Sequence, residues 1–563
     1  MSITYQDAQD GGAPRDLARW VPGALLACAL ACLALQVPLA LAMSANWDEF
    51  HYLAQVHEFL RGDLHMALQT IHVHLFRPIA ALGGGEVSQI EAGRLVMIAA
   101  QAGTFWLIYR LARLFLRPVD ALFALLAYAT LSNTVVHGAS FRVDPLATVL
   151  VMAGLVAAAH PRAGLLARGV AILAPALAAM VTVKVVLYAP AFLGILVWQA
   201  SAGAPRRVIL RWAVNAAGTL VCFGLLYVAH RASLSADAAV GSSAVLANAA
   251  KITLLEAGLL PRLGYLVKLA FENPLQGVLL LGGGVAVVLQ LFRHGERAQA
   301  AALLLLAAPI GCVAFYSNAF PYFYPFILPP VALLAGAFAR RWLADDGLKL
   351  MIAVAMTTLA VMTWNEARDR DQALQRSVLA NVHAAFPEPV AAFDRNGMVS
   401  SFPRAGFFMS QWGMKNYAAA DAPFFREVML RRVVPLLVVN GPALRDAVVP
   451  TGDRPIQRLD EEDRRTLAEN YLRHAPHVWV AGKKIAVAAK IRETEFLVPG
   501  AYRVSATAPF RIDGRAVADG AVVTLERGTI ALSSPIAQTV RFKWNVASPA
   551  TQGVEADPVY APF

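Results

Sequence analysis

Long apolar runs dominate this chain, and they leave it few ways to fold. Of its 563 residues, 58% are hydrophobic and 15% charged, and the mean hydropathy is +0.52. A soluble domain carries roughly a quarter charged residues. Roughly eleven segments reach or approach the ~20 residues that a helix needs to span a bilayer. Their limits are 21–43, 92–111, 119–137, 144–160, 168–183, 185–200, 212–230, 274–292, 299–316, 322–339 and 349–364. The fifth and sixth nearly touch, with Lys184 between them. The pattern predicts an α-helical polytopic membrane protein. The polar stretch before the first run is too long for the start of a signal peptide, so that run is expected to be a retained helix.

The loops set an orientation. Arg110, Arg113 and Arg117, then Arg162 and Arg168, then Arg206, Arg207 and Arg211, then Arg293 and Arg297, then Arg340, Arg341 and Lys349 fall in every second loop. The positive-inside rule makes those loops cytoplasmic, with Arg15 and Arg19 on the same side. The net charge of +11 is thus a topology signal spread over many loops, and no nucleic-acid partner is expected. Cys28, Cys32, Cys222 and Cys312 all lie in apolar runs, which argues against a disulfide framework or a zinc site.

This gives a cytoplasmic tail at 1–20 and a membrane domain at 21–365, with long outer loops at 44–91 and 231–273. The first loop has apolar spacing suited to one or two amphipathic helices at the membrane surface. The second reads as a mobile lid or a further interfacial helix. After Trp364 the chain becomes polar. An α/β region is expected at 366–484 and a β-rich, sandwich-like module at 485–563, both on the outer side. Asp513-Gly514 marks a hairpin turn in the second.

The polar outliers near the membrane gather on the outer side. Asp48, Glu49 and His51 follow the first apolar segment. His72, His74 and Arg77 lie in the same loop, and Arg142 and Asp144 occupy the outer turn at 138–143 and the start of the next segment. Lys184 and the Tyr322–Pro330 stretch complete the set. Ionisable residues at a membrane boundary are costly and mark function. Cations there suit a phosphate, and a carboxylate suits a hydroxyl that must lose its proton. An apolar groove between helices would hold a lipid tail.

Trp47-Asp48-Glu49-x-x-Tyr52 after the first segment resembles the Asp-Glu motif of GT-C glycosyltransferases, in particular the protein mannosyltransferase and aminoarabinose (lipid A) transferase group. Arg77-Pro78 is similar to that group's later Arg/Lys-Pro. Arg142-x-Asp144 is similar to its Arg/Thr-x-Asp element, Lys184 to its fifth-helix lysine, and Tyr322-Phe323-Tyr324-Pro325 to its Tyr-Tyr-x-Leu-Pro helix start. The matches keep the family's order across roughly residues 15–365. The sequence departs at His51, where aminoarabinose transferases have Arg, and at Val185-Val186, where they have Gly-Pro.

The resemblance implies inverting transfer of a sugar from a polyprenyl-phosphate donor to a lipid, glycan or protein acceptor. The setting would be the periplasmic face of a bacterial inner membrane, among membrane lipids. Asp48 and Glu49 would be catalytic. His51, Arg77, Arg142, Asp144, Lys184 and Tyr324 would bind the donor's phosphate or sugar. No metal ligands are expected and no cofactor is implied with certainty, a divalent cation staying open. Asp48 and Glu49 also suit a helix N-terminus, and Tyr324 an aromatic belt. A transporter or lipid flippase is the alternative. It would show paired repeats and charges at mid-membrane, whereas here the charges cluster at one face.

Overall fold

The computed structural model describes residues 15–160, 164–234, 258–420, 422–449, 457–551 and 558–560. Each of the eleven apolar segments contains helix, and the one at 322–339 is interrupted at 328–332. The first is α1 (Arg15–Ala42), which begins inside the expected tail; residues 1–14 of that tail lie outside the described residues. The loop at 44–91 folds as α2 (Trp47–Arg61) and α3 (His72–Ala80). Then come α4 (Gly85–Ala112), α5 (Pro118–Ala129), α6 (Ser132–His137), α7 (Val143–Ala159), α8 (Leu165–Val181), α9 (Ala189–Ser201) and α10 (Pro205–Ala232). The segment at 119–137 is therefore broken into α5 and α6.

The expected lid falls largely on 235–257, outside the described residues. Its last part is α11 (Leu263–Glu272), which meets α12 (Pro274–Gln290) at 103°. Pro274 bars a continuous helix here. Asn273 fills the corner: its Oδ1 accepts from the Ser132 amide at 2.8 Å and its Nδ2 donates to the Leu269 carbonyl at 2.8 Å. The body closes with α13 (Arg297–Ala307), α14 (Tyr324–Ile327), α15 (Leu333–Trp342) and α16 (Asp346–Arg368). Among the described residues six helices, counting bent continuations, are long and apolar enough to cross a membrane singly, and the α11–α12 pair would make a seventh. The other apolar segments are shorter or interrupted. An apolar core runs through the body and includes the fully buried Tyr128, Phe123, Leu155 and Phe326.

The soluble part starts with α17 (Ala373–Ala385). A mixed seven-stranded sheet follows, in the order β1 (Ala392–Phe393), β2 (Leu436–Val438), β4 (Val478–Val487), β11 (Gln538–Trp544), β6 (Gly500–Ser505) and β9 (Val522–Leu525), with β3 (Tyr471–Ala475) also paired to β4. A four-stranded sheet packs against it: β5 (Arg492–Phe496), β10 (Gly528–Ser533), β7 (Phe510–Ile512) and β8 (Arg515–Val517). Asp513 and Gly514 link β7 to β8 with φ of 48° and 82°, the left-handed pair that a tight hairpin requires. The expected boundary at 484/485 falls inside β4. That strand pairs with β2 and β3 through its first half and with β11 through its second, so the α/β and β-rich regions share one sheet.

A separate apolar core joins the two halves of the molecule. Phe50 and Leu53 of α2, Val73 and Phe76 of α3, and Ile90 of α4 pack with Val378 and Val382 of α17 and with Val478 and Val480 of β4. Polar contacts follow the same seam. Asn396 Nδ2 donates to the Trp47 carbonyl at 2.7 Å, and Arg404 pairs with Glu58 at 3.0 Å.

One buried ion pair fixes how α1, α2 and α4 meet. Arg94, 1% exposed, donates from Nε and Nη2 to the two carboxylate oxygens of Glu49, each at 2.7 Å. Its remaining donors reach the Ala40, Met43 and Ser44 carbonyls at 3.2, 2.7 and 3.2 Å, which are the open carbonyls at the end of α1. Glu49 also closes a capping box with Asn46, accepting from its amide at 2.8 Å, and accepts the Phe141 amide at 2.8 Å. Phe141 lies over Gly93, where a Cβ would strike its ring. Removing one partner leaves a buried charge uncompensated, so Glu49→Gln or Arg94→Met should each lower stability by about 3–5 kcal/mol. Thermal unfolding in detergent checks this, and the double variant should regain part of the loss.

Candidate functional site

Beside that clamp runs a chain of alternating charge. Asp48, the residue before Glu49, pairs with Arg142 Nη1. Arg142 Nε lies 3.3 Å from Asp144 Oδ2, and Asp144 Oδ1 takes Lys184 Nζ. Three elements bring the four together. The capping box sets Asp48 in the first turn of α2. Arg142 is the extended residue before α7, with φ −132° and ψ 163°, and Asp144 lies in the first turn of that helix. Lys184 lies in the short 3-10 turn Val183–Tyr188 between α8 and α9. The Glu49 bond to the Phe141 amide therefore fixes the backbone next to Arg142, while Asp48 meets the Arg142 side chain.

The chain is sealed in the middle and accessible at its ends. The side chains of Arg142 and Asp144 are 4% and 3% exposed, whereas Asp48 and Lys184 are 15% and 14% exposed. The Arg142 guanidinium lies 3.4 Å from the centre of the Tyr322 ring and 5.9 Å from that of Tyr52. Lys184 Nζ is 5.7 Å from the Tyr322 ring centre. Burial works against the charge on Arg142, but Asp48, Tyr322 and Asp144 hold its pKa well above the usual value.

The structure places the remaining sequence candidates differently. Glu49 is 1% exposed and both its oxygens are occupied, so it positions its neighbours rather than meeting a substrate. Burial opposes its charge, yet Arg94 and the Asn46 and Phe141 amides hold its carboxyl below the usual range. His51 stacks flat on Phe408 of the soluble domain, with ring centres 4.2 Å apart, and its Nε2 lies 3.2 Å from Gln55. Burial, followed by Arg404, His72 and Arg142, lowers its pKa well below the usual histidine value, which disfavours the cationic form. Arg77 is exposed on α3, on the side away from buried His72, and makes no ion pair among the described residues. Tyr324 is fully buried in the body core, its hydroxyl without a partner among the described residues. Tyr322, two residues earlier, is the tyrosine at the site. The 3-10 turn Pro321–Phe323 separates the two rings before α14 begins.

Three residues at or beside the site were not legible as site residues in the sequence. Tyr52 lay inside the first motif without a role. Arg94 is an ionisable residue in an apolar segment, a signal that points to function or structure by itself. Arg395 comes from the soluble domain, its guanidinium 4.6 Å from the Trp47 ring centre. Among the described residues no three His, Cys, Asp or Glu side chains gather, and Asp48 and Asp144 already face cations.

His72 gives the outer helices an acid-sensitive point. It is 2% exposed, edge-on to Tyr52 at 5.5 Å, and burial lowers its pKa from 6.5 to about 3. The unfolded chain binds this proton at the ordinary histidine value, so the stabilisation is fully present above about pH 6.5 and is lost as the pH falls towards 3. Thermal unfolding of His72→Phe should show a shallower acid slope than wild type by up to about 1.4 kcal/mol per pH unit. Equal slopes would remove His72 as the source.

No family model matches the sequence, and no curated protein matches it significantly. Solved structures do match in shape. ArnT from Cupriavidus metallidurans, bound to undecaprenyl phosphate, superposes with a TM-score of 0.53 at 13% identity, over 77% of this chain and 96% of that one. The oligosaccharyltransferase AglB from Archaeoglobus fulgidus, in complex with an inhibitory peptide and a dolichol-phosphate, superposes with a TM-score of 0.53 at 10% identity, over 95% of this chain and 98% of that one. The likeness to AglB thus extends through most of the soluble domain. The chain has the GT-C fold.

Proposed function

We propose that this protein is a membrane glycosyltransferase. It takes a sugar from a polyprenyl-phosphate-linked donor and passes it, with inversion, to a hydroxyl-bearing lipid, glycan or protein acceptor at the outer face of the inner membrane. The observation that carries the reading is the charge chain with its two accessible ends, a carboxylate at Asp48 and an ammonium at Lys184. The fold agrees with it: structures of that shape hold undecaprenyl phosphate and dolichol-phosphate.

The two ends divide the work. Lys184 meets the donor phosphate, and Arg142 joins it by exchanging a carboxylate oxygen for a phosphate oxygen. Both cations are already oriented by Asp144, so little reorganisation accompanies the development of charge on the leaving phosphate. Arg142 leaving Asp48 frees a carboxylate oxygen for the acceptor's hydroxyl. The acceptor oxygen attacks the anomeric carbon, its proton passes to Asp48, and the bond from that carbon to the phosphate oxygen breaks. The lipid phosphate leaves with the electron pair. Tyr322 and Tyr52 shield Arg142 from water, which strengthens these interactions.

Purified protein offered radiolabelled polyprenyl-phosphate sugars, with membrane extract as acceptor source, tests both ends. Asp48→Asn should lower kcat by about 10²–10⁴-fold while donor affinity stays within a few-fold. Lys184→Gln should raise the donor KM about tenfold or more. Transfer unaffected by Asp48→Asn would remove the base from this account. Substrate movement across the bilayer without transfer would favour a transporter.

A further inference from the structure

The soluble sheet carries a basic face that the charge chain does not use. Strand β4 alternates, so Val478, Val480, Gly482, Lys484 and Ala486 share one side. The first three are buried, and Val478 and Val480 belong to the core shared with α2, α3, α4 and α17. Lys484 and Ala486 are exposed. The side of the sheet that packs on α2, α3, α4 and α17 therefore continues past Gly482 to the exposed Lys484 and Ala486.

The cross-strand register fills that open half with cations. Arg541 of β11 lies directly opposite Lys484, and Lys543 lies opposite both Gly482 and Arg503 of β6. Directly opposed residues of antiparallel strands share a face, and like charges in that relation are destabilising. Two such pairs, Lys484–Arg541 and Lys543–Arg503, stand side by side. Among the described residues no acid pairs with any of the four; Arg503 donates to Asn545 Oδ1 at 3.2 Å, and Arg541 Nε is buried without a partner. Ser505, opposite Arg541, and Thr539, opposite Ala486, add only hydroxyls. Burial and then Arg541 depress the Lys543 pKa.

We propose that this open half of the sheet is a docking surface for anionic phospholipid headgroups of the bilayer that the chain spans. Its charge is complementary to such a surface, and it lies on the same side as the seam with the membrane helices. Headgroup phosphates would relieve the opposed cations, and the contact would hold the soluble domain down over α2. The proposal does not depend on the glycosyltransferase reading.

The test uses the full chain in nanodiscs of phosphatidylcholine, with or without phosphatidylglycerol. Lysines are acetylated for limited times and read by mass spectrometry. Lys484 and Lys543 should react about threefold or more slowly when phosphatidylglycerol is present, and high salt should abolish the difference. Exposed Lys415 on the helix Gln411–Ala420 is the internal control and should react equally in both discs. Arg541→Gln should weaken the protection of Lys484. Equal acetylation in the two discs would overturn the proposal, as would protection that survives Arg541→Gln unchanged. Inorganic phosphate protecting both lysines equally well in phosphatidylcholine discs would overturn the lipid as occupant.

Discussion

The geometry of the site depends on the Glu49–Arg94 pair. Arg94 donates to carbonyls at and just past the end of α1 and to both oxygens of Glu49, so one guanidinium joins the end of α1 to the start of α2. Glu49 then binds the amide of Phe141, one residue before Arg142. A buried pair is worth its desolvation only when its remaining donors and acceptors are satisfied, and here they are. The two adjacent acids thus divide their tasks: Glu49 builds the frame, and Asp48 stands in it facing Arg142.

What the frame presents is an electrically balanced set. Two carboxylates and two cations alternate, with the middle pair sealed and the end groups open. Such a set holds its charges in place by mutual pairing, and in the proposed reaction a cation passes from carboxylate to phosphate. The soluble domain completes the surroundings. Phe408 covers His51, Arg395 covers Trp47, and Asn396 holds the Trp47 carbonyl, so the helix that carries Asp48 is packed from the membrane body and from the soluble domain at once.

The sequence shows much of this because apolar length and charge placement are local signals. The eleven apolar segments, the outer cluster Asp48, Arg142, Asp144 and Lys184, and the Asp513-Gly514 hairpin are all legible residue by residue. Long-range partners are not. Nothing local marks Arg94 as the partner of Glu49, or places Tyr322 rather than Tyr324 against Arg142, because a 3-10 turn rotates those two rings apart. Arg77 reads as a phosphate ligand from its neighbour Pro78, yet the helical periodicity of α3 turns it outward once His72, Val73 and Phe76 are buried. The boundary at 484/485 follows a change in composition, whereas strand pairing carries β4 across it.

The most direct measurement is a structure of the chain with a polyprenyl phosphate bound, determined by electron cryomicroscopy in nanodiscs. The account expects the phosphate on Lys184 and Arg142, with Asp48 released from Arg142 and the Glu49–Arg94 pair unchanged. A phosphate bound elsewhere, with Asp48 still joined to Arg142, would contradict it.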